Sequence, residues 1–488
     1  MRILRFMLMM LTAGACSGGD LMRFTNGDQL HGSFMGMNDG PGLVWRRDDV
    51  GEPVEFKTTE VRHVVLNDGR ARKGLGSLAY VGLVNGDRVP GRITAIDGDS
   101  VKLETLWGGE LRLPRDQVEL LAPNPLGGRV YYHGPFVKEG WKMVDGPWQE
   151  EAEEEGLEAG EWAFSGSAWY WDGKDGGVAI VRESGMVDRS VLSFDLAWKN
   201  RLSVALAFHA DFKTVDPEEV KDAGKRRNLV RGEVGSLPYL FGNSYVLQIY
   251  SNYLMLYRTS IDEDGRGRLD RVRANNNNFR LNEIGRAHIE LRCNRHAGTI
   301  ALFLDDEFVA QWNEGEGMLQ ERMEYAGKGD GFGFVVQGDD APVRVSDVIV
   351  SEWNGMPDSA RSLQVEEYDV VLMANGTDRY AGTVDGLDED GRVVFEGRHG
   401  KFRFPLDDVA EIRFAGNGLA ERSDEAVGEM KVRLSPLGVI TGKPLGGDAG
   451  SLHLASAVFG EVAVDLGYAV MLDLALTNNI GDDWDVSF

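Results

Sequence analysis

Apolar and polar residues alternate in short runs across residues 141–353. Period-two runs of this length are typical of β-strands that bury one face in a hydrophobic core. The apolar positions of four such runs are Leu192, Phe194, Leu196 and Trp198; Val204, Leu206 and Phe208; Ile289, Leu291 and Cys293; Ile300, Leu302 and Leu304. Turn-forming residues such as Asn200, Gly285 and Gly298 separate the runs. The stretch therefore predicts an all-β sandwich of two sheets.

A shorter strand pattern occurs twice before the sandwich. Asn26-Gly27 and Asn85-Gly86 each join two apolar-alternating runs, and each is followed by a further glycine, Gly32 and Gly91. An Asn-Gly pair between alternating runs is the strongest short-range signal for a β-hairpin. Two related β-units are therefore predicted ahead of the sandwich.

The same pattern returns twice after the sandwich. Asn375-Gly376 leads to Gly382, and a fourth copy over residues 430–474 keeps Gly442 but has lost the Asn-Gly pair. About five short strands in about 50 residues suit a small closed barrel, and the strand–turn–strand pattern resembles Sm-like and SH3-like barrels. The predicted organisation is a leader at 1–16, barrel repeats at 21–68 and 78–123, a jelly roll at 128–354, and barrel repeats at 366–416 and 428–475.

The N-terminal residues 1–16 have the pattern of a secretory signal. Arg2 and Arg5 precede a short apolar run, and Ala13-Gly14-Ala15 precedes Cys16, which gives the charged, apolar and small-residue regions of such a signal. The last four residues also resemble a bacterial lipobox, in which Cys16 is lipidated, although Ala13 stands where that family prefers leucine. Cleavage after Ala15 and lipidation of Cys16 both remain open. We expect an exported protein that is periplasmic, anchored to the outer membrane or extracellular, with no transmembrane helix.

The net charge disfavours some classes of partner, and the cysteine content excludes a disulfide framework. The chain has 52 basic and 78 acidic residues, a formal charge of −26, which disfavours nucleic acid and anionic membrane surfaces as partners. The two cysteines, Cys16 and Cys293, provide no disulfide framework, and the alternation predicts that Cys293 is a buried thiol. An acidic run at 150–158 lacks the spaced ligands of a calcium loop. No metal or cofactor is expected.

Several stretches of the sandwich region resemble the concanavalin A-like jelly-roll superfamily and, within it, the 3-keto-disaccharide hydrolase family. They are residues 160–162, 191–198, 299–309, 331–337 and 343–349, with Trp353. Asp306-Glu307 stands where members of the family place an Asp-Gly turn. The resemblance implies a jelly-roll fold and, at a finer level, a carbohydrate ligand or substrate.

Two sets of residues are candidates for the site. Trp169, Tyr170 and Trp171 form the densest aromatic cluster, which suits stacking on a sugar ring or, equally, packing in the core. Asp195 and His209 lie on consecutive runs and would form an acid–base pair if the register placed them on one face. Three hypotheses follow: a protein that binds a carbohydrate or an envelope protein, with the barrels as spacers or interaction modules; a glycoside-acting enzyme; and a structural envelope scaffold.

Overall fold

The computed structural model describes residues 19–474 apart from short gaps. The gaps are 27, 39–41, 48, 126–128, 146–159, 165–167, 172–175, 214–233, 274–280, 282–284, 306, 315–324, 338–341, 354, 356–365, 376 and 422–427. The predicted leader, Cys16 and the acidic run at 150–158 therefore lie outside the described residues. Almost all regular structure in the described part is β. No helix there is long and apolar enough to cross a membrane.

Two β-units precede the sandwich, one of five strands and one of six. Unit 1 contains β1 (Asp20–Phe24), β2 (Gln29–Met37), β3 (Gly42–Arg46), β4 (Val54–Lys57) and β5 (Val61–Val65). Unit 2 contains β6 (Tyr80–Leu83), β7 (Arg88–Pro90), β8 (Arg92–Ile96), β9 (Ser100–Thr105), β10 (Gly109–Pro114) and β11 (Val118–Ala122), where β7 and β8 flank Gly91 and together occupy the place of β2. The hairpin predicted at Asn85-Gly86 is confirmed, because it joins the antiparallel strands β6 and β7, and Gly86 has the positive φ of 90° that glycine tolerates.

The sandwich follows in two antiparallel sheets. Its strands are β12 (Val130–Gly134), β13 (Lys142–Val144), β14 (Trp162–Phe164), β15 (Ala168–Trp171), β16 (Ala179–Arg182), β17 (Arg189–Trp198), β18 (Ser203–Ala210), β19 (Ser244–Tyr250), β20 (Leu254–Ile261), β21 (Gly267–Val272), β22 (Gly285–Asn294), β23 (Thr299–Leu304), β24 (Glu307–Asn313), β25 (Gly331–Val336) and β26 (Val343–Glu352). Sheet I has the order β14-β15-β26-β17-β22-β23-β24, with β12 also paired to β26. Sheet II has the order β13-β16-β25-β18-β19-β20-β21. One short helix, α1 (Leu237–Phe241), packs on sheet II.

Two further units follow the sandwich. Unit 3 contains β27 (Asp369–Met373), β28 (Arg379–Leu387), β29 (Arg392–Gly397), β30 (Gly400–Pro405) and β31 (Val409–Arg413). Unit 4 contains β32 (Met430–Leu434), β33 (Gly438–Asp448), β34 (Ser451–Ser456), β35 (Gly460–Asp465) and β36 (Ala469–Asp473). In each unit the last strand pairs with the first. The first four strands of units 1, 3 and 4 pair in sequence order, whereas in unit 2 β6 pairs with β7 and strands β8, β9 and β10 form a three-stranded sheet of their own. Among the described residues no pairing joins a fourth strand to a fifth, so closure into a barrel remains a prediction.

The repeated glycine has the same packing role in every unit. A Cβ atom added at this position would lie close to a carbonyl oxygen of the third strand: at Gly32 it would lie 2.4 Å from that of Arg46, at Gly91 3.1 Å from that of Glu104, at Gly382 2.2 Å from that of Glu396, and at Gly442 3.0 Å from that of Ala455. A side chain there would push the second and third strands apart. The equivalence of the four glycines is therefore structural as well as a feature of the sequence.

The four units form one body, which we call the platform. Strand β11 of unit 2 pairs with β31 of unit 3, and β5 of unit 1 pairs with β36 of unit 4. Shorter pairings join β33 of unit 4 to β7 of unit 2 and to β2 of unit 1. The result is an 18-stranded sheet that contains strands of all four units and excludes β8, β9 and β10, and the four units share one hydrophobic cluster. The sandwich is thus inserted in the chain between two halves that fold back on each other.

The alternating runs form strands β17, β18, β22 and β23 of the sandwich, as predicted. Leu192, Phe194 and Leu196 of β17 are buried between the sheets, and Cys293 of β22 lies in the same core. Burial raises the pKa of the Cys293 thiol to about 12. The expectation of one exposed face fails for β17, however, since Val191 and Ser193 on its other face are buried as well. The platform covers this outer face of sheet I.

Candidate functional site

A cleft of about 870 Å³ lies between the outer face of sheet I and the platform. Its sandwich wall comes from β12, β17, β22 and β26, and its other wall from units 2 and 3 with Pro125 and one residue of unit 4. Polar side chains on both walls line the cleft; they include Asp87, Arg88, Glu119, Ser193, Asp195, His288, Glu290, Asp347, Glu366, Tyr368, Glu411 and Arg413. A cleft of this size at a junction between bodies is a typical place for a small-ligand site.

The sandwich wall holds an Asp195–His288 pair. The two residues face each other across the register of β17 and β22, and Nδ1 of His288 lies 2.7 Å from Oδ1 of Asp195. The backbone of His288 is fixed in turn by Asp305, whose carboxylate accepts from the His288 amide at 2.8 Å. The side chains of Asp195 and His288 remain 48% and 31% exposed. A carboxylate on Nδ1 orients the imidazole and sets its tautomer.

One cross-strand pair further along, Glu290 lies opposite Ser193. The guanidinium of Arg292 holds the carboxylate of Glu290, with a 2.6 Å hydrogen bond from Nε, and it also lies 4.0 Å from the ring centre of Phe303. This ion pair is almost wholly buried. Glu290 is therefore held in place as a fixed negative group, whereas Asp195 is accessible.

Asp347 of β26 joins the sandwich to two platform units. Its carboxylate lies 3.2 Å from Arg88 of unit 2, 3.0 Å from His133 of the sandwich and 3.6 Å from Arg433 of unit 4. Burial alone would raise the pKa of Asp347, but the hydrogen bond with His133 and the charges of Arg433 and Arg88 hold it well below its usual range. Asp347 also has a positive φ of 47°, a conformation that costs energy for a residue other than glycine. The junction therefore fixes the wall of the cleft beside Asp195.

The platform wall contributes carboxylates and aromatic rings. Glu411 is 2% exposed and accepts from Nε of Arg413 at 3.4 Å. Asp87 accepts from the hydroxyl of Thr441 at 2.6 Å, and burial raises the pKa of its carboxyl. The side chain of Tyr368 is 37% exposed at the edge of the cleft. The wall thus combines hydrogen-bond acceptors with an aromatic surface.

The predicted Asp195–His209 pair is wrong, because its members lie in different sheets. The chain passes from sheet I to sheet II between β17 and β18, so these strands do not form a hairpin. His209 is fully buried and bonded to the hydroxyl of Tyr325 at 2.8 Å and the carbonyl of Val187 at 3.1 Å. Burial, with the charge of Arg295, lowers the pKa of His209 to about 3. Asp195 is in the cleft, but its partner is His288.

Burial also contradicts the stacking surface predicted at Trp169, Tyr170 and Trp171, which are 3%, 4% and 0% exposed. Trp169 and Trp171 lie in the sandwich core, where Trp171 packs edge-on against Trp162. Tyr170 lies on the opposite face of β15, close enough to Arg23 of unit 1 to affect the pKa of that guanidinium. The core alternative raised for these residues is therefore the one found for Trp169 and Trp171, while Tyr170 is buried on the outer face of sheet I.

Sequence reasoning missed His288, Glu290 and Tyr368. The first two are the polar positions that alternate with Ile289 and Leu291 in β22, so the run itself contained the signal that they share a face. Nothing in the sequence showed that this face lies opposite Asp195 or that the platform covers it.

No family model and no curated protein matches the chain. Among solved structures, the carbohydrate-binding module CBM66 from Bacillus subtilis is 16% identical, over 44% of this chain and 96% of that one, with a TM-score of 0.26. A Bacillus subtilis protein of unknown function with a galectin-like fold is 13% identical, over 46% of this chain and 96% of that one, with a TM-score of 0.30. A putative glycosyl hydrolase from Parabacteroides distasonis is 11% identical, over 45% of this chain and 98% of that one, with a TM-score of 0.25. Likenesses at this level carry no weight for function.

Proposed function

We propose that the protein binds a saccharide in the cleft between sheet I and the platform, and that it does so outside the cytoplasm, as the leader-like residues 1–16 predict. The observation that carries the proposal is the cleft itself. Its volume of about 870 Å³ lies within the range typical of small-ligand sites, and convergent polar groups in such a cleft indicate binding. Saccharides present both hydroxyl groups and apolar ring faces, and the lining of the cleft offers partners for both.

The polar groups of the wall suit hydroxyl recognition. Asp195 accepts one hydrogen bond from His288, and an ionised carboxylate has about four acceptor positions, so it has capacity for ligand hydroxyls. The exposed ring of Tyr368 offers an apolar surface on the opposite wall. Because Glu290 and Asp347 are held by arginines, the wall is ordered before a ligand enters, which lowers the entropic cost of binding.

The test is thermal unfolding of the full chain with a panel of oligosaccharides. A ligand at about 100 times its dissociation constant adds about 2.7 kcal/mol, which corresponds to a rise of several degrees in the unfolding midpoint. A rise with one saccharide class that Asp195→Asn reduces supports the proposal. No rise with any saccharide would contradict it and favour a structural scaffold.

A glycoside-acting enzyme is the second candidate, favoured by the Asp195–His288 hydrogen bond of 2.7 Å. A carboxylate that orients an imidazole is a recurrent arrangement for general-base catalysis. The finer resemblance to 3-keto-disaccharide hydrolases belongs with this candidate. Incubation of the full chain with any saccharide that binds, followed by product analysis, separates the two. An enzyme releases product and loses that activity in His288→Gln while the saccharide still binds; a binding protein leaves the saccharide intact.

A further inference from the structure

The lining of the cleft is unequal in charge. Seven lining residues carry carboxyl groups: Asp87, Glu119, Asp195, Glu290, Asp347, Glu366 and Glu411. The cationic side chains among the lining residues are Arg88 and Arg413, with His288 able to become cationic. Arg292 and Arg433 lie behind the lining against Glu290 and Asp347, so the excess of negative charge comes mainly from the other carboxylates. Asp87 contributes least to the negative potential, since burial raises its pKa. A cleft lined mainly by one sign of charge concentrates ligands of the other sign.

The cations of the wall are already engaged by carboxylates. Arg88 lies 3.2 Å from Asp347. Arg413 donates to Glu411, and His288 contacts Asp195. To bind Arg88, Arg413 or His288, an acidic ligand would have to displace the carboxylate that already contacts that side chain. The carboxylates of the lining would also repel the negative charge of the ligand. The wall therefore disfavours uronic acids and sulfated sugars.

The exposed acceptors face the cleft from both walls. Asp195 has a 48% exposed side chain on the sandwich side, and Glu366 is exposed on the unit 3 side. An ammonium group brings three donors and no acceptor, so it fits a site that offers carboxylate oxygens. The exposed ring of Tyr368 adds an aromatic surface, and aromatic faces attract cations.

We propose that the cleft selects saccharides with free amino groups, such as oligomers of glucosamine, over neutral and acidic saccharides. This inference rests on the proposed function and names the ligand class of the same site. The deciding feature is the combination of exposed carboxylates on both walls with arginines that are already paired.

The test is calorimetric titration of the full chain with three tetrasaccharides of similar size: tetraglucosamine, its N-acetylated counterpart and tetragalacturonate. At about pH 6 the amino groups are protonated. We expect tetraglucosamine to bind about tenfold more tightly than the acetylated form, as one partly desolvated ion pair provides, and tetragalacturonate not to bind. The preference should shrink as salt is raised, because screening weakens the pair.

Matched carboxamide variants separate the cleft from the overall charge of the protein. Asp195→Asn should reduce the preference for tetraglucosamine severalfold. Asp264→Asn removes the same charge from an exposed turn that does not line the cleft, so it should leave the preference unchanged. Attraction to the net charge of −26 would respond equally to both variants and would lack a one-to-one stoichiometry.

Two results overturn the inference in different ways. Equal binding of the amino and acetylated forms, or binding of tetragalacturonate, contradicts the selectivity and leaves saccharide binding intact. No binding by any of the three, combined with no response to the wider saccharide panel, removes the proposed function and this inference together.

Discussion

The two outer faces of the sandwich differ in chemistry although the two sheets share one core. Sheet II presents small apolar side chains such as Ala205, Ala207 and Val335. Leu237 and Phe241 of helix α1 pack against these side chains and cover them. Sheet I presents Ser193, Asp195, His288, Glu290 and Asp347, and a separate body covers them while leaving a cleft. An apolar face can be closed by a few residues of the same domain, whereas a charged face requires partners for its charges. The chemistry of the protein is therefore concentrated where the sandwich meets the platform.

The largest expected effect comes from breaking the junction on the charged face. Asp347→Ala leaves Arg88 and His133 without their shared buried carboxylate and leaves Arg433 with Asp473 alone. The loss should cost about 3–5 kcal/mol and lower the unfolding midpoint by about 10 °C. Calorimetry measures this, with Asp264→Ala as the exposed control. Because the folded pKa of Asp347 is depressed, its contribution is present above about pH 4 and is lost as the pH falls through the folded value. The deficit of the variant should therefore shrink in acid; a variant as stable as the control at neutral pH contradicts the role of the junction.

A matching change on the apolar face should destabilise the protein without touching the cleft. Phe241 of α1 is fully buried, so Phe241→Ala should cost about 3 kcal/mol and leave saccharide affinity unchanged. Calorimetry and titration of the same sample give both values. Leu106→Ala, at a side chain that is 61% exposed, is the control for truncation. Loss of saccharide affinity in Phe241→Ala would show that the two faces are not independent.

His209, which is buried in β18 of the sandwich, should make the free energy of unfolding sensitive to acid. Its folded pKa of about 3 is below the ordinary value of 6.5, so the unfolded state takes up the proton first. The free energy of unfolding should therefore fall by up to about 1.4 kcal/mol per pH unit as the pH drops below about 6.5. Denaturation midpoints from pH 7 to pH 4 measure the slope, which should be shallower in His209→Gln than in the exposed-residue control His453→Gln. Identical slopes would mean that the folded protein does not hold His209 in its neutral form.

The smallest expected effect concerns the aromatic edge of the cleft. Tyr368→Ala should weaken saccharide binding about tenfold, because a stacking surface is lost, with little change in the unfolding midpoint. Tyr253 has the same exposure of 37% and lies outside the cleft, so Tyr253→Ala serves as the matched control in titration. Equal affinity of the two variants would exclude Tyr368 from the site.

The strand pattern could be predicted from the sequence because it depends on local alternation. The runs containing Phe194 and Leu291 and the glycines of the repeats were found in this way. Alternation does not determine which strand lies beside which, so Asp195 was matched to His209 instead of to His288. Nor does it show that a face is covered by a distant part of the chain.

The repeats illustrate the same limit. Asp20 in unit 1 and Asp369 in unit 3 have one role, since each carboxylate accepts an amide hydrogen from its second strand at 2.8 Å, from Phe34 and Val384 respectively. This equivalence was present in the sequence but lay outside the Asn-Gly pattern used to find the repeats. The pairing of unit 1 with unit 4 and of unit 2 with unit 3 depends on contacts between residues hundreds of positions apart, which no local pattern contains.

Hydrogen–deuterium exchange of the full chain, with and without the saccharide that raises its midpoint most, tests directly whether the ligand lies between sheet I and the platform. We predict slower exchange in β17, β22 and residues 366–370, and unchanged exchange in β18, β19 and β20 of sheet II. Protection confined to sheet II would contradict the account and move the binding site to the opposite face of the sandwich.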